Sequence, residues 1–513
     1  MPISRTQPAN GGYRRACALA LASAGVCVLA GCVVGPDFKQ PGSPGVTSLV
    51  PGSLKSPVGT GRSAQHFAPG RDIPGDWWRL FRSKTLNGLV ERAIADNADL
   101  QSAQAAVRVA QANAEAQRGA FFPQISANYQ PVRQKVSLDP LVPSTPTGSP
   151  YYTTHTAQLS VSFVPDVFGG IRRQLETLEA TAENQRFQLE ATYLTLTSNL
   201  TVAAIQEASL RGQIAATNRL VRIARELLEL QLKSLKLGQV SALDVATQEA
   251  ALAQIELTLP PLEKQLAIVR DQLIALTGHL PGEGSAAKFE FAAFHLPADL
   301  PVSLPSDIIR QRPDVRAAEA NMHAATAAVG VAIANRLPQF TLSGNAGSMS
   351  SAFAHVLNFS TPYSFWTIAG NATQVLFDGF TLEQKQRAAE AGLDQAAAQY
   401  KSAVVTAFQN VADALQALTF DARSLNVALL GERAAVKALN LTKEQLRLGQ
   451  VSSLQVLNAQ QTYLQASLAV VQAKAARYSD TVALFQALGG GWWNRADIPA
   501  DDRGRSWLAS IRN

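Results

Sequence analysis

Few residues in this chain are placed to do chemistry. Its six histidines (His66, His155, His279, His295, His323 and His355) are scattered, with no i, i+4 pair and no metal-ligand spacing. No glycine-rich phosphate loop follows a strand-like segment. Hydrolytic, nucleotide-driven and metal-dependent enzymes find no machinery here, so no catalytic residue, metal or cofactor-binding site is expected. One thiol is different. Of the three cysteines, Cys17 and Cys27 sit inside an apolar run, whereas Cys32 closes the sequence Leu29-Ala30-Gly31-Cys32. Small residues ahead of a single nucleophilic sulfur let a peptidase grip the backbone and leave the thiol free for acyl-lipid transfer.

The segment holding these cysteines reads as an address. Arg5, Arg14 and Arg15 precede the apolar run Ala16 to Ala30, which is too short for a bilayer-spanning helix. Residues 1–31 are therefore a signal peptide, and its end resembles the lipobox of bacterial lipoproteins. That resemblance implies a diacylglycerol and an N-acyl chain on Cys32 as the new N-terminus. Val33 in place of Asp implies sorting to the outer membrane. Removing residues 1–31 also removes Cys17 and Cys27, which leaves no intrachain disulfide. Three of the six net positive charges are Arg5, Arg14 and Arg15, so +3 remains. With no basic stripe interleaved with aromatics, nucleic acid is not an expected partner. Nor does the rest offer ~20 continuous apolar residues. A membrane crossing would have to use strands.

The architecture is announced by repetition. Asp99-Leu100 and Phe122-Pro123-Gln124-Ile125 return 215 positions later as Asp314-Val315 and Leu337-Pro338-Gln339-Phe340. Leu235-Lys236-Leu237-Gly238-Gln239-Val240-Ser241-Ala242-Leu243 returns 211 positions later as Leu446-Arg447-Leu448-Gly449-Gln450-Val451-Ser452-Ser453-Leu454. Two copies suggest an internally duplicated, pseudo-symmetric protomer rather than an open solenoid. No proline lies between Pro165 and Pro260 or between Pro362 and Pro499, and Leu, Ala, Gln, Glu, Lys and Arg dominate both stretches. Long helices are predicted over about 171–237 and 380–448, each about 100 Å at ~1.5 Å per residue. Each ends at a glycine tip and runs back through 242–277 or 453–488, with Pro260-Pro261 breaking or kinking the first return. Shorter helices are predicted at 84–120 and 307–336.

Between the short and long helices lie four segments of alternating polarity, about 124–133, 156–165, 339–347 and 365–376. The clearest sets Ala157, Leu159, Val161 and Phe163 against Thr156, Gln158, Ser160 and Ser162. Their lengths suit a bilayer crossing of roughly 9–11 tilted residues. A soluble sheet packed on a helix would alternate in the same way. In lipid, however, a sheet tolerates no open edge, and about eight strands is the usual minimum for a barrel. Four strands per chain then demand that two or more chains share a barrel, three chains giving twelve. The expected segments are 32–76, a lipidated extended stretch; 77–300 and 301–491, the two repeats; and 492–513, a tail.

Several motifs carry a family resemblance: Cys32-Val33-Val34-Gly35-Pro36-Asp37-Phe38, Trp77-Trp78-Arg79-Leu80-Phe81, Arg310-Gln311-Arg312-Pro313-Asp314-Val315-Arg316, the glycine tips, and Ala487-Leu488-Gly489-Gly490-Gly491-Trp492. The chain resembles the TolC-like outer-membrane factors of tripartite efflux systems, in the lipoprotein branch of the OprM/NodT type. The resemblance implies a mixed α and β membrane channel: a homotrimer with a twelve-stranded β-barrel in outer-membrane lipid and a periplasmic α-helical barrel. It implies a periplasmic adaptor and an inner-membrane RND-type pump as partners. The adaptor would dock at Gly238, Gln239, Val240, Ser241, Gly449, Gln450, Val451 and Ser452. A constriction is implied near the second tip, where Lys437, Asn440, Lys443 and Glu444 stand but no Asp matches the family pattern. Arg312-Pro313-Asp314 reads as a helix start, and Trp77-Trp78 as packing anchors. The expected function is passive conduction of small toxic compounds to the exterior. Alternatives are the channel of a type I protein secretion system or a lipoprotein scaffold without a pore.

Overall fold

The computed structural model describes residues 33–42, 45, 65–135, 151–283, 287–303, 305–360 and 362–498, with backbone only at Pro305 and Ser306. Cys32 and the signal segment lie outside the described residues. So do 136–150 and 499–513. In chain order the elements are β1 (His66–Pro69), α1 (Lys84–Asp96), α2 (Ala98–Arg118), β2 (Gln124–Lys135), β3 (Tyr151–Phe163), α3 (Gly170–Lys236), α4 (Ala242–Glu256) and α5 (Leu259–Leu276). Then follow β4 (Asp299–Val302), α6 (Pro305–Gln311), α7 (Pro313–Ala334), β5 (Gln339–Ser350), β6 (Ser364–Thr373), α8 (Thr381–Arg447) and α9 (Ser453–Ala487).

The two long helices, α3 and α8, are 67 residues each. Several expected boundaries move, each for a local reason. The helix expected at 84–120 is two helices, because Asn97 leaves the helical conformation and its Oδ1 accepts from the Leu100 amide at 3.0 Å. At 307–336 the break falls at Arg312, since Pro313 restricts its predecessor and starts a new helix. The first return helix, expected over 242–277 with a break or kink at Pro260-Pro261, stops at Glu256 and restarts at Leu259, with both prolines in its first turn. The strand expected at 156–165 spans 151–163, ending before Pro165, which has no amide hydrogen to donate. Those expected at 339–347 and 365–376 span 339–350 and 364–373.

The described residues fall into two compact units. One draws on residues 33–40, 109–135, 151–182 and 320–398 and holds the four-stranded antiparallel sheet in the order β2-β3-β5-β6. Close packing of β3 on β5 needs Gly347, where an added Cβ would stand 2.4 Å from the Ala157 carbonyl oxygen. The other draws on the described residues within 41–108, 183–319 and 399–498 and is mainly helical. It also holds the short parallel pair β1-β4, which joins the expected extended segment 32–76 to the junction of the two expected repeats.

The core of this second unit is aromatic at one end. Trp77 and Phe81 are fully buried in a 3-10 turn, and Trp77 stacks on Phe485 of α9 at 5.4 Å between ring centroids. Burial of each ring removes a large apolar area from water, and deleting one is expected to cost about 3–5 kcal/mol. Glu207, wholly buried on α3, is matched rather than stranded: it accepts from the Phe289 amide at 2.9 Å and pairs with Arg270 at 3.0 Å. The expected tail begins inside the fold, since Trp492 is buried edge-on to Phe187 at 5.7 Å.

Candidate functional site

The register of the sheet sorts its side chains into two unlike faces. Ile125, Val161, Gly344 and Ile368 form one cross-strand row, and Ala127, Leu159, Ala346 and Trp366 the next. Alternating with them are Ser126, Ser160, Asn345 and Thr367 on the opposite side. Because partners in an antiparallel pair share a face, three independent pairings had to agree for these two rows to be apolar across all four strands. That apolar side is bare. Trp366 and Ile368 are 75% and 81% exposed. The sheet is also open at both edges, β2 and β6.

The two glycine tips have the same backbone. Gly238 (φ +73°) and Gly449 (φ +72°) adopt the left-handed conformation that closes a helix. The Gln239 amide donates to the Ser234 carbonyl and the Gly238 amide to that of Leu235, both at 2.9 Å. Gln450 and Gly449 repeat both bonds with Gln445 and Leu446 at the same distance. Around each glycine stand exposed leucines, Leu237 and Leu243 at one tip and Leu448 and Leu454 at the other. Gln239, Ser241, Gln450 and Ser452 are exposed, Val240 and Val451 half-buried. Sequence reasoning did not single out Asp244. Its carboxylate accepts from the Ser241 amide (3.1 Å) and hydroxyl (2.7 Å) and, from the other tip, the Ser453 hydroxyl (3.1 Å). Those bonds, led by the Ser241 hydroxyl, hold it below the usual carboxylate range. A Ser-x-x-Asp spacing was the available signal.

The residues expected near a constriction stand at i, i+3 and i+4 spacings along the last turns of α8. Lys437 and Asn440 are exposed on α8. Lys443 is half-buried; desolvation pushes its ammonium down, opposed by Glu226. Glu444 is engaged by Arg447 at 2.5 Å, one turn along the same helix, which lowers its carboxyl. Farther along α8, burial and then the adjoining Asp480 push Asp421 up to about 7, against the pull of Arg477.

Arg312 donates to both carboxylate oxygens of Asp314 (2.9 and 2.6 Å) and to the Ala487 carbonyl (3.1 Å), a structural knot at the start of α7. The residues just after Cys32 are equally fixed. Arg173, whose side chain is 4% exposed, donates to the Val34 and Gly35 carbonyls at 3.1 and 3.3 Å and to Asp37 at 2.6 Å. Gly35 passes so close to α7 that a Cβ there would lie 2.4 Å from the Gly330 Cα. Phe38 stacks on His323 at 4.3 Å, and His323 in turn contacts Glu176 at 2.9 Å.

A four-stranded sheet with one apolar and one polar face thus accompanies two helices of 67 residues each. The family model described as outer membrane efflux protein matches residues 89–279 and 304–490. The chain belongs to this family. It is an outer-membrane efflux channel. It is 30% identical over 454 residues to the pyoverdine export outer membrane protein OpmQ of Pseudomonas aeruginosa, covering 86% of this chain and 94% of that one. To the antibiotic efflux pump outer membrane protein ArpC of Pseudomonas putida it is 28% identical over 474 residues, 91% and 94% of the two chains. Among solved structures, the outer-membrane channel OprN superposes with a TM-score of 0.80 at 26% identity, over 90% of this chain and all of that one.

Proposed function

We propose that three copies of this chain, each an internally duplicated protomer, assemble into one conduit, a twelve-stranded barrel in the outer membrane continued by a barrel of the long helices through the periplasm. The observation that carries this reading is the sheet itself: one bare apolar face, one polar face and two unpaired edges. In hydrocarbon an unpaired backbone edge is costly, so the edges of one chain pair with those of its neighbours. The polar face of Ser, Thr, Asn and Gln then lines water.

Conduction through such a tube is passive, and the energy comes from partners. Exposed leucines around two rigid glycine turns suit a periplasmic adaptor, which links the conduit to an inner-membrane RND-type pump. Cys32, with its diacylglycerol and N-acyl chain, anchors the chain in the same membrane. The tight seating of residues 34–38 against Arg173 and Gly330 supports an anchor held close to the sheet. Relatives named for export of pyoverdine and efflux of antibiotics favour small molecules over the polypeptide cargo of a type I secretion channel.

Purified protein in a planar lipid film is expected to give stepwise ion conductance and to run as a trimer in detergent. A compact monomer that never raises conductance would overturn the reading. Deleting the gene and measuring susceptibility to drugs, dyes, solvents and metals identifies the substrates. In cells, Cys32→Ser is expected to abolish incorporation of labelled palmitate; persistent label would refute lipidation at that residue.

A further inference from the structure

The four strands of the sheet contain no Asp or Glu, and their only Lys and Arg are Arg133 and Lys135. Both stand on β2, at the end away from the helices, and both are exposed. Their positions are an even number of residues from Ile125 and Ala127, so they stand on the apolar face and not on the polar one. A cation on the lipid-facing side of a barrel costs most at mid-bilayer and least near the interface. Placing the sheet's only two formal charges on that side, at one end, therefore marks a depth.

An aromatic group marks the same depth from below. Tyr129 and His155 are neighbours on this face, with the phenol oxygen 2.9 Å from Nδ1, and the Phe353 ring stands edge-on to both at 6.2 and 5.8 Å. Rings with one apolar and one polar end settle where hydrocarbon gives way to headgroups. Arg133 and Lys135 follow in the next two rows, paired across the strands with Thr153 and Tyr151. Lys135 Nζ lies 5.6 Å from the Tyr151 ring centroid, which holds the ammonium on this side of the sheet. Neither cation makes an ion pair among the described residues.

We propose that Arg133 and Lys135 form a docking site for a phosphate-bearing glycolipid of the outer leaflet, with Tyr129, His155 and Tyr151 packing beside its headgroup. The inference rests on the sheet being in the outer membrane with its helices on the periplasmic side. Arg supplies a planar fork for phosphate oxygens and Lys a second point charge, so a phosphomonoester is matched better than a zwitterionic headgroup. A trimer carries three such sites.

The test uses full-length protein in phosphatidylcholine nanodiscs, titrated with fluorescent lipid A bearing two phosphates. Arg133→Gln with Lys135→Gln is expected to weaken binding about thirtyfold, from about fivefold per cation. Exchange of the two residues (Arg133→Lys with Lys135→Arg) is expected to keep most of it, and lipid A stripped of phosphate should bind the unaltered protein as weakly as the Gln variant binds the intact lipid. Equal binding by the Gln variant, or equal binding of the phosphate-free lipid, would overturn the site. Full displacement by inorganic phosphate would also overturn it, by making it a free-anion site. Resistance to urea extraction is measured on the same nanodiscs. Protein that is washed off refutes the membrane reading of the sheet; protein that stays inserted and ignores lipid A refutes only this inference.

Discussion

The two glycine tips have almost the same sequence and the same backbone, yet their helix starts are built differently. At the first, Ser241 and Asp244 cap each other reciprocally. At the second, Ser452 makes no side-chain cap, and the residue three positions on is Gln455, whose amide donates to the Ser452 carbonyl. Backbone conformation is imposed by glycine, but stiffness is imposed by side chains. Equivalent turns can therefore differ in how readily they loosen, and the Ser453 bond to Asp244 makes the second tip lean on the first.

The largest expected effect tests what the tips share. Proline fixes φ near −65°, far from the +73° and +72° required, so Gly238→Pro or Gly449→Pro should abolish adaptor cross-linking and lower drug resistance to the level of a deletion. Urea-resistant insertion should be unchanged; equal loss of insertion would show that the tips serve folding rather than docking. Alanine is the milder probe. No atom lies within 4 Å of a Cβ added at either glycine, so the strain is conformational alone, about 1–2 kcal/mol at each. Markedly unequal losses, read by local hydrogen exchange, would break the equivalence of the two backbones.

The next substitution separates the tips. Ser241→Ala should speed amide exchange at the start of α4 by the equivalent of about 1 kcal/mol, whereas Ser452→Ala should change the start of α9 by a few tenths. The smallest effect is on pH. Because the Asp244 carboxyl is held below its ordinary value of 3.8, its contribution is present above that value and is lost as pH falls through its lowered one. Exchange at the first tip should therefore quicken below about pH 4 and Asp244→Asn should remove the dependence. No such step is expected at Gln455.

Much of the local structure was legible because its causes are local. Alternation over Ala157–Phe163 and proline-free, helix-favouring stretches speak of neighbours along the chain. The break at Asn97 was missed because a side-chain cap is a weak signal inside a helical pattern, whereas the helix start at Arg312-Pro313-Asp314 was readable from its proline. Arg173 offered no signal at all: its partners, Val34, Gly35 and Asp37, lie far away in sequence. Of the expected docking residues, the glycines were readable from their type. Asp244 and the leucines beside the turns needed a view of which surfaces stay exposed.

By itself the chain determined the long helices, the glycine turns that reverse them and the two-sided character of each strand, because propensity, positive φ and a two-residue period act through adjacent bonds. Only the tertiary structure decided that β3 joins β5 in a register uniting four apolar faces, and that the motif after Cys32 is seated on Arg173 and Gly330. Such pairings depend on which surfaces meet, and no single stretch of sequence encodes a meeting.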